Sequence, residues 1–283
     1  MKIRISLLIM LMLFTAALQA AGFPRHNPVP GGIALLPLGP GEQRPSVRFN
    51  NRPVIVTKRD GQWLAVLGLP LDSQPGEHHL QWQQGGAERS LAFQVQSKQY
   101  PEQHITLSNQ RQVSPSAEDL TRIRGELARS RAAYAKISEL EPQLGFMLPV
   151  DGRISGVFGS RRFFNGQERR PHSGLDIAAP TGTPIQAPAG GTVVEVGDFF
   201  FNGKTVFIDH GQGLVSMYCH MDSIQVKPGQ QLKQGEVIGT VGATGRVTGP
   251  HLHWSISMNN TLIDPELFLS EQTLAQLNAA NQP

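Results

Sequence analysis

The chain has 283 residues, 39% of them hydrophobic and 17% charged, which is long enough for two ordinary domains with buried cores. Its formal net charge of +3 falls to +1 without the first twenty residues, which hold two cations and no acidic residue, so charge gives no argument for nucleic-acid binding. The single cysteine, Cys219, excludes an intramolecular disulfide, so stability has to come from ordinary hydrophobic cores.

The chain opens with the pattern of a secretory signal peptide. Lys2 and Arg4 precede an apolar run over 5–14, which is short for a bilayer span, and small residues follow. We predict a signal peptide over 1–20 and export of the mature chain. An uncleaved membrane anchor is the alternative, because Leu18 lies where a small residue is preferred. The absence of a cysteine directly after the run argues against a lipid anchor.

Residues 21–107 predict a small β-sandwich. Two pairs of apolar β runs flank turn dipeptides, Asp60-Gly61 and Gly85-Gly86, and each pair is a hairpin signal. Several short strands joined by such turns are typical of a sandwich. This region has no constellation of residues that would indicate chemistry.

Residues 108–148 predict a linker that contains one helix. The helix begins at Ser114, or at the alternative capping pair Ser116 and Asp119, and Pro142 ends it. Apolar residues recur at helical spacing: Leu120, Ile123, Leu127, Tyr134 and Ile137. A connecting helix docked on a neighbouring element is favoured over a dimerising coiled coil, because the apolar seam is too short for sustained heptads.

Residues 149–269 predict a mostly antiparallel β domain with little helix, followed by a C-terminal tail over 270–283. Short β runs alternate with glycine turns, and Asn202-Gly203 is a type I′ hairpin signal. The fold class is therefore mostly β: a sandwich, a connecting helix and this second β domain. Five of the nine histidines lie between 172 and 253, which directs attention to this domain.

Two short patterns in this domain carry candidate metal ligands. His172 and Asp176 are four residues apart at the start of a strand, and "HLH" places His251 and His253 on one strand face with Leu252 on the other. A hydrolytic zinc site typically takes three protein ligands and keeps a position for water. His172, Asp176 and one histidine of the pair fit that requirement, and the remaining histidines are available for proton transfer and charge stabilisation.

Strand alternation gives an expectation for the segment "YCH". It places Tyr218 and His220 on one face and turns Cys219 to the other, into the core. On this interpretation Cys219 is a buried free thiol and no ligand.

Three motifs resemble those of the lysostaphin-like (LytM-type) zinc peptidases. "HSGLDIAAPTGTPI", "DHGQGLVSMYCHM" and "GATGRVTGPHLHW" occur in the family's order, and the resemblance covers residues 149–269. The region before them resembles, more loosely, the immunoglobulin-like domain that precedes the peptidase in some exported bacterial members.

The resemblance implies roles for five residues and one zinc ion per chain. The zinc ligands would be His172, Asp176 and His253. His251 would be the general base, and His220 would stabilise the oxyanion. The histidine of "IDHG", at position 210, matches a family position that does not bind zinc and more simply serves a turn.

By the same resemblance, the chain would be a zinc endopeptidase that cleaves peptide cross-links of peptidoglycan. Export without an evident wall-targeting module favours a D,D-endopeptidase of a periplasm, with an extracellular enzyme as the alternative. A regulatory protein partner is possible, and nucleic acid and a stable membrane span are not expected. The family also includes latent forms, in which an upstream segment occupies a zinc position, here the N-terminal domain, the helix or Asn202.

Two other functional classes compete with the peptidase. A catalytically inactive activator of another cell-wall hydrolase would have a degraded metal site, whereas all five positions are intact here. A lipoyl or biotinyl carrier would display a lysine at a hairpin tip, where "ATGRVTG" offers arginine.

The segment "RRFFNGQERR" also allows two interpretations. Arg161, Arg162, Arg169 and Arg170 could attract acidic stem peptides to the cleft, or they could belong to a solvated loop.

Overall fold

The computed structural model describes residues 22–107 and 110–279. The predicted signal peptide over 1–20 lies outside these residues. Within the described ranges, no helix is both long enough and apolar enough to cross a membrane.

The chain is mostly β, as predicted. The strands are β1 (Ile33–Gly39), β2 (Ser46–Phe49), β3 (Arg52–Pro53), β4 (Ile55–Arg59), β5 (Gln62–Gly68), β6 (Gly76–Gln84), β7 (Ala87–Val95), β8 (Glu102–Ile105), β9 (Arg153–Gly156), β10 (Arg161–Phe164), β11 (Gln167–Glu168), β12 (Leu175–Ala178), β13 (Pro184–Gln186), β14 (Gly191–Phe199), β15 (Gly203–Gly211), β16 (Leu214–Ile224), β17 (Gln231–Leu232), β18 (Val237–Val241), β19 (His251–Met258) and β20 (Thr261–Ile263). The helices are α1 (Gln110–Val113), α2 (Ala117–Tyr134), α3 (Glu271–Ala279) and a 3₁₀ helix (Pro265–Phe268).

The N-terminal strands form the predicted sandwich. One sheet has the order β1-β5-β4 and the other β3-β2-β6-β7, and apolar side chains from both sheets form one cluster between them. Both predicted hairpins are present. Their turn residues have positive φ angles, for example 51° at Asp60 and 76° at Gly61, which asparagine, aspartate and glycine tolerate best.

Helix α2 begins at the alternative capping pair. Ser116 Oγ accepts a hydrogen bond from the Asp119 amide, and the Asp119 carboxylate accepts one from the Ser116 amide. The helix ends at Tyr134, earlier than predicted. The chain after it runs instead to the β15–β16 turn, where the Gln212 amide donates a hydrogen bond to the Ser138 carbonyl. An ion pair of 2.7 Å between Arg129 and Glu195 joins α2 to β14, so the helix is docked on its neighbour.

A ten-stranded sheet forms the second β domain. Its main path runs β17-β14-β15-β16-β19-β12-β9, with β13, β18 and β20 paired off this path, and all of its pairings are antiparallel. A separate small sheet pairs β8 with β10 in parallel, so a strand from the predicted N-terminal region joins residues of the predicted second β domain.

The main hydrophobic core also crosses the predicted boundary. Ile33, Ile55 and Val66 of the sandwich belong to the same buried cluster as Leu175 and Trp254 of the large sheet. The segment predicted as a tail contributes to this core as well, because helix α3 buries Leu274 and Leu277. The proposed division at residue 149 therefore separates sequence regions that share one core.

The hairpin predicted at Asn202-Gly203 forms with a different turn. Phe199 pairs with Gly203, so three residues, 200–202, make the turn. Gly203 has φ of 62°, whereas the φ angle of Asn202 is not positive, so this is not a type I′ turn. A Cβ on Gly203 would lie 2.2 Å from Thr244 Oγ1, so close packing against the loop before β19 fixes glycine at this position.

Candidate metal centre

Strand register brings Asp176 and His253 together. The two residues are direct partners in the antiparallel β12–β19 pair, so their side chains lie on the same face of the sheet. His253 Nδ1 is 2.7 Å from Asp176 Oδ1. His172, three residues before β12, places Nε2 at 2.9 Å from the same oxygen and 3.0 Å from His253 Nδ1. Three donor atoms thus converge on one point.

A second set of contacts orients each of these side chains. His172 Nδ1 lies 2.9 Å from the Val157 carbonyl, which can only accept, so this nitrogen carries the proton and Nε2 keeps a lone pair. His253 Nε2 contacts Ser255 Oγ at 2.8 Å. Arg162 Nη2 donates to Asp176 Oδ2 at 2.6 Å, which leaves Oδ1 for the centre. Such outer contacts are typical of metal ligands.

Burial and the neighbouring groups set the charge state of the cluster. Burial raises the pKa of Asp176, but hydrogen bonds with His172 and His253 outweigh it and hold this pKa well below its ordinary value. Burial lowers the pKa of His253 to about 4, although Asp176 opposes the shift. The carboxylate is therefore charged and the imidazole neutral at neutral pH, which are the forms that bind a metal.

The donor set fits a zinc ion. Two imidazole nitrogens and one carboxylate oxygen, all from buried residues and within 4.8 Å of one another, match the three protein ligands of a hydrolytic zinc site. Two glycines make room for the cluster. A Cβ on Gly156 would lie 2.6 Å from Asp176 Oδ2, and one on Gly174 would lie 2.9 Å from His253 Nε2.

His251 lies beside this cluster, as the "HLH" pattern predicts. Its Nε2 is 3.8 Å from Asp176 Oδ1, and Leu252 points into the core on the opposite face. His251 Nδ1 lies 2.9 Å from the Gly249 carbonyl, so Nδ1 carries the proton and Nε2 is an acceptor.

His220 also lies at the site, but not by regular alternation. The register pairs Cys219 with His253 and Tyr218 with Trp254, so Cys219 is on the face of the site and Tyr218 on the core face. The predicted grouping of Tyr218 with His220 is wrong. A register shift in the β15–β16 pair and a φ of 61° at His220 turn its ring back to the site, 4.8 Å from the ring of His251.

Cys219 and His210 are buried outside the cluster. Cys219 packs with Phe207 and Met217, and burial raises the pKa of its thiol, so it is a neutral core residue. His210 contacts the Gly190 carbonyl and Ser216 Oγ, each at 2.7 Å, and burial lowers its pKa to about 4.

The cluster opens into a cavity of about 1200 Å³ between the sandwich, helix α2 and the large sheet. His172, His220 and His253 line it on one side, and Leu120 and Leu127 of α2, which are 44% and 40% exposed, line it on another. These two helix residues therefore face the cavity and not a core.

The arginines of "RRFFNGQERR" divide into two groups. Arg162, Arg169 and Arg170 line the cavity, whereas Arg161 does not line it and pairs with Glu102 and Glu168. Sequence reasoning missed the bond of Arg162 to Asp176, because no local spacing links them. It also gave no site role to Arg246, which lines the cavity from the loop before β19.

Comparison with known proteins gives two family matches. Residues 170–265 match the model of peptidase family M23, and residues 26–98 match the model of the peptidase family M23 N-terminal domain. The chain is 45% identical to a solved structure described as a putative peptidase M23 from Pseudomonas aeruginosa, with a TM-score of 0.74. That match covers 86% of this chain and 95% of the other.

Curated relatives match over a shorter region. The peptidoglycan DD-endopeptidase ShyC of Vibrio cholerae is 43% identical over 120 residues, which are 41% of this chain and 28% of that protein. The DD-carboxypeptidase/endopeptidase Mpg of Neisseria meningitidis is 41% identical over 113 residues, which are 40% of this chain and 26% of that protein. The match thus spans only about a quarter of the length of these relatives.

Proposed function

The chain belongs to peptidase family M23, and from this we propose that it is a zinc-dependent endopeptidase that cleaves peptide cross-links of peptidoglycan. The observation that carries the proposal is the buried group of His172, Asp176 and His253. His251 lies beside this group, and His220 lines the same large cavity as His172 and His253. The names of the relatives, which include peptidoglycan DD-endopeptidases, support a D,D-bond as the one cleaved.

In the proposed mechanism, three side chains hold the metal. His172, Asp176 and His253 would hold the zinc ion, which would supply Lewis-acid chemistry for the activation of water and of a peptide carbonyl. Arg162 keeps the Asp176 carboxylate in one orientation, and the Val157 carbonyl keeps Nε2 of His172 free of a proton.

His251 is the proposed general base. Because the Gly249 carbonyl holds the proton on Nδ1, Nε2 is the atom that takes a proton from water and returns it to the leaving amine. The position of His251 next to Asp176 and His253, without being part of the three-residue group, supports this division of roles.

His220 is proposed to stabilise the developing negative oxygen. Its Nδ1 donates to the Thr244 carbonyl at 2.9 Å, so the neutral ring presents an unprotonated Nε2. Burial, with the positive charge that His251 and His253 carry when protonated, lowers the pKa of His220 to about 3. Donation to an anion therefore requires a proton on Nε2, and the attacking water is its proposed source, because water carries two protons and His251 passes only one of them to the leaving amine.

We further propose that the protein is exported and acts in a periplasm, where peptidoglycan is accessible to it. The signal-like pattern of the first twenty residues supports export. A regulatory protein partner remains part of the proposal, since helix α2 and the sandwich border the cavity and would be the surfaces available for such control.

Digestion of defined peptidoglycan tests this function. The purified protein is stripped of metal, reconstituted with one equivalent of zinc, and incubated with cross-linked muropeptide dimers whose products are identified by mass spectrometry. We expect cleavage of the D,D cross-link by the zinc form alone. Normal zinc binding without cleavage of any cross-link, together with stimulation of a second hydrolase, would instead support the activator.

A further inference from the structure

Arg246 lies in the same cavity as the metal ligands and is held between two aromatic rings. Its guanidinium carbon is 4.4 Å from the ring centroid of Phe164 and 4.3 Å from that of Phe201. The backbone is fixed too, because the Arg246 amide donates to the Phe201 carbonyl at 2.8 Å and Gln112 donates to the Gly245 carbonyl at 2.8 Å. The two ring contacts and the fixed backbone thus restrict the position of the guanidinium.

The side chain of Arg246 has no hydrogen-bonding partner among the described residues. Across residues 22–107 and 110–279, its guanidinium makes no hydrogen bond and no ion pair, and its contacts are with the two aromatic rings. Its neighbour Arg162 is bound to Asp176, and Arg161 is bound to Glu102 and Glu168. Arg246 is therefore a part-buried cation without an internal counter-ion, which is costly unless a ligand supplies one.

The surroundings of Arg246 add to this excess of positive charge. Burial, together with the charges of Arg162 and Arg169, lowers the pKa of Arg246 to about 10, so it stays protonated at neutral pH. Arg169 directs its guanidinium to the Val113 and Glu168 carbonyls and the Gln167 side chain, none of which is an anion. Arg162, Arg169, Arg170 and Arg246 thus all line the cavity, and among the described residues Asp176 pairs with Arg162 while no carboxylate pairs with Arg169 or Arg246.

We propose that Arg246 binds a free carboxylate of the peptide substrate and so selects peptides that carry one. A planar guanidinium presents parallel N–H donors that match a carboxylate, and its confinement between Phe164 and Phe201 removes the entropy cost of orienting it. The subsite rests on the proposed function, because the same cavity would hold the scissile peptide next to the metal ligands. Arg169 supports the subsite through its charge.

Two peptides that differ in one group test the subsite. Each is a cross-linked dimer of the same sequence, one with a free carboxylate and one with the matching carboxamide, and kcat/KM is measured with zinc-loaded wild type and Arg246→Gln. We expect wild type to prefer the carboxylate peptide by about tenfold to a hundredfold, since hydrogen bonds to charged groups have that magnitude. In R246Q the preference should fall to within about twofold, through loss on the carboxylate peptide alone.

Two further variants control the experiment. Arg153→Gln removes an exposed cation of the large sheet that does not line the cavity, and we expect it to keep the wild-type preference. Arg246→Lys keeps the charge without the planar fork, and we expect an intermediate preference. Melting temperature and zinc content are measured for each variant, so that R246K decides the matter if R246Q does not fold.

Binding separates failure of the subsite from failure of the proposed function. Dissociation constants for both peptides are measured by calorimetry with the zinc-loaded protein, whether or not it cleaves them. A wild-type preference in binding that R246Q abolishes supports the subsite even without turnover. Equal binding of the two peptides by wild type, or an equal loss on both in R246Q, overturns it. Absence of cleavage with intact binding preference contradicts the proposed endopeptidase alone.

Discussion

Buried histidines of the second β domain occur in two settings. His172 and His253 share a carboxylate, Asp176, and open into the large cavity, whereas His210 is hydrogen-bonded to the Gly190 carbonyl and Ser216 and packs against the ring of Phe146. Hydrogen bonds orient the imidazoles in both settings. The shared carboxylate and the large cavity, and not burial or orientation, distinguish the candidate metal centre from His210.

The largest expected effect follows from removing a ligand. Asp176→Ala or His253→Ala should abolish peptidase activity and greatly weaken zinc retention, because each removes one of three bonds to the metal. Mass spectrometry measures the zinc content, and turnover of a cross-linked dimer measures the activity. His210→Gln is the matched control and should keep full zinc. Full zinc and normal turnover in the Asp176 variant would refute the ligand set.

A smaller loss is expected where the residue is adjacent to the metal but does not bind it. His251→Ala should keep near-stoichiometric zinc and lose turnover by about 10²–10⁴, the usual contribution of general-base catalysis. His220→Ala should behave similarly, with the loss in kcat. Single-turnover rates on zinc-assayed protein distinguish these variants from His253→Ala. Equal zinc loss in His251→Ala and His253→Ala would remove the distinction between base and ligand.

The smallest expected effect concerns His210, the buried histidine outside the candidate metal centre. His210 has its pKa lowered from 6.5 to about 4 by burial, so the folded protein keeps it neutral while the unfolded chain protonates it below pH 6.5. The contribution of neutral His210 to the free energy of unfolding is therefore fully present above pH 6.5 and is lost as the pH falls towards 4. A shift of this size, from 6.5 to about 4, corresponds to about 3 kcal/mol.

Urea unfolding of the metal-free protein at several pH values measures this effect. We expect the free energy of unfolding to fall more steeply between pH 6.5 and 4 in wild type than in His210→Gln, which lacks this one titrating group and keeps all the others. Activity per folded molecule should be the same in both. A parallel pH dependence of the two proteins would show that His210 is not the titrating group.

One part of the candidate site follows a local rule and could be predicted from the sequence. Alternation alone places His251 and His253 on one face with Leu252 opposite, and the structure confirms this arrangement. The adjacency of Asp176 and His253 depends on a register between strands 77 residues apart, which the family resemblance implied and local spacing could not.

Other features were not predictable from local patterns. His220 reaches the site through a positive φ and a register shift, and alternation cannot anticipate either. The orientation of Arg246 depends on Phe164 and Phe201, which come from distant segments. Ile33 and Leu175 likewise belong to one buried core, although the sequence predicts two separate domains for them, 21–107 and 149–269.

The most direct test of the central claim is the position of the metal. A crystal of the zinc-loaded protein, measured at the zinc absorption edge, should show one anomalous peak about 2.0–2.2 Å from His172 Nε2, Asp176 Oδ1 and His253 Nδ1. His220 and His251 should lie beside the peak without binding it. A peak bound by His220 and His251, or an active protein with no zinc at the three ligands, would contradict the account.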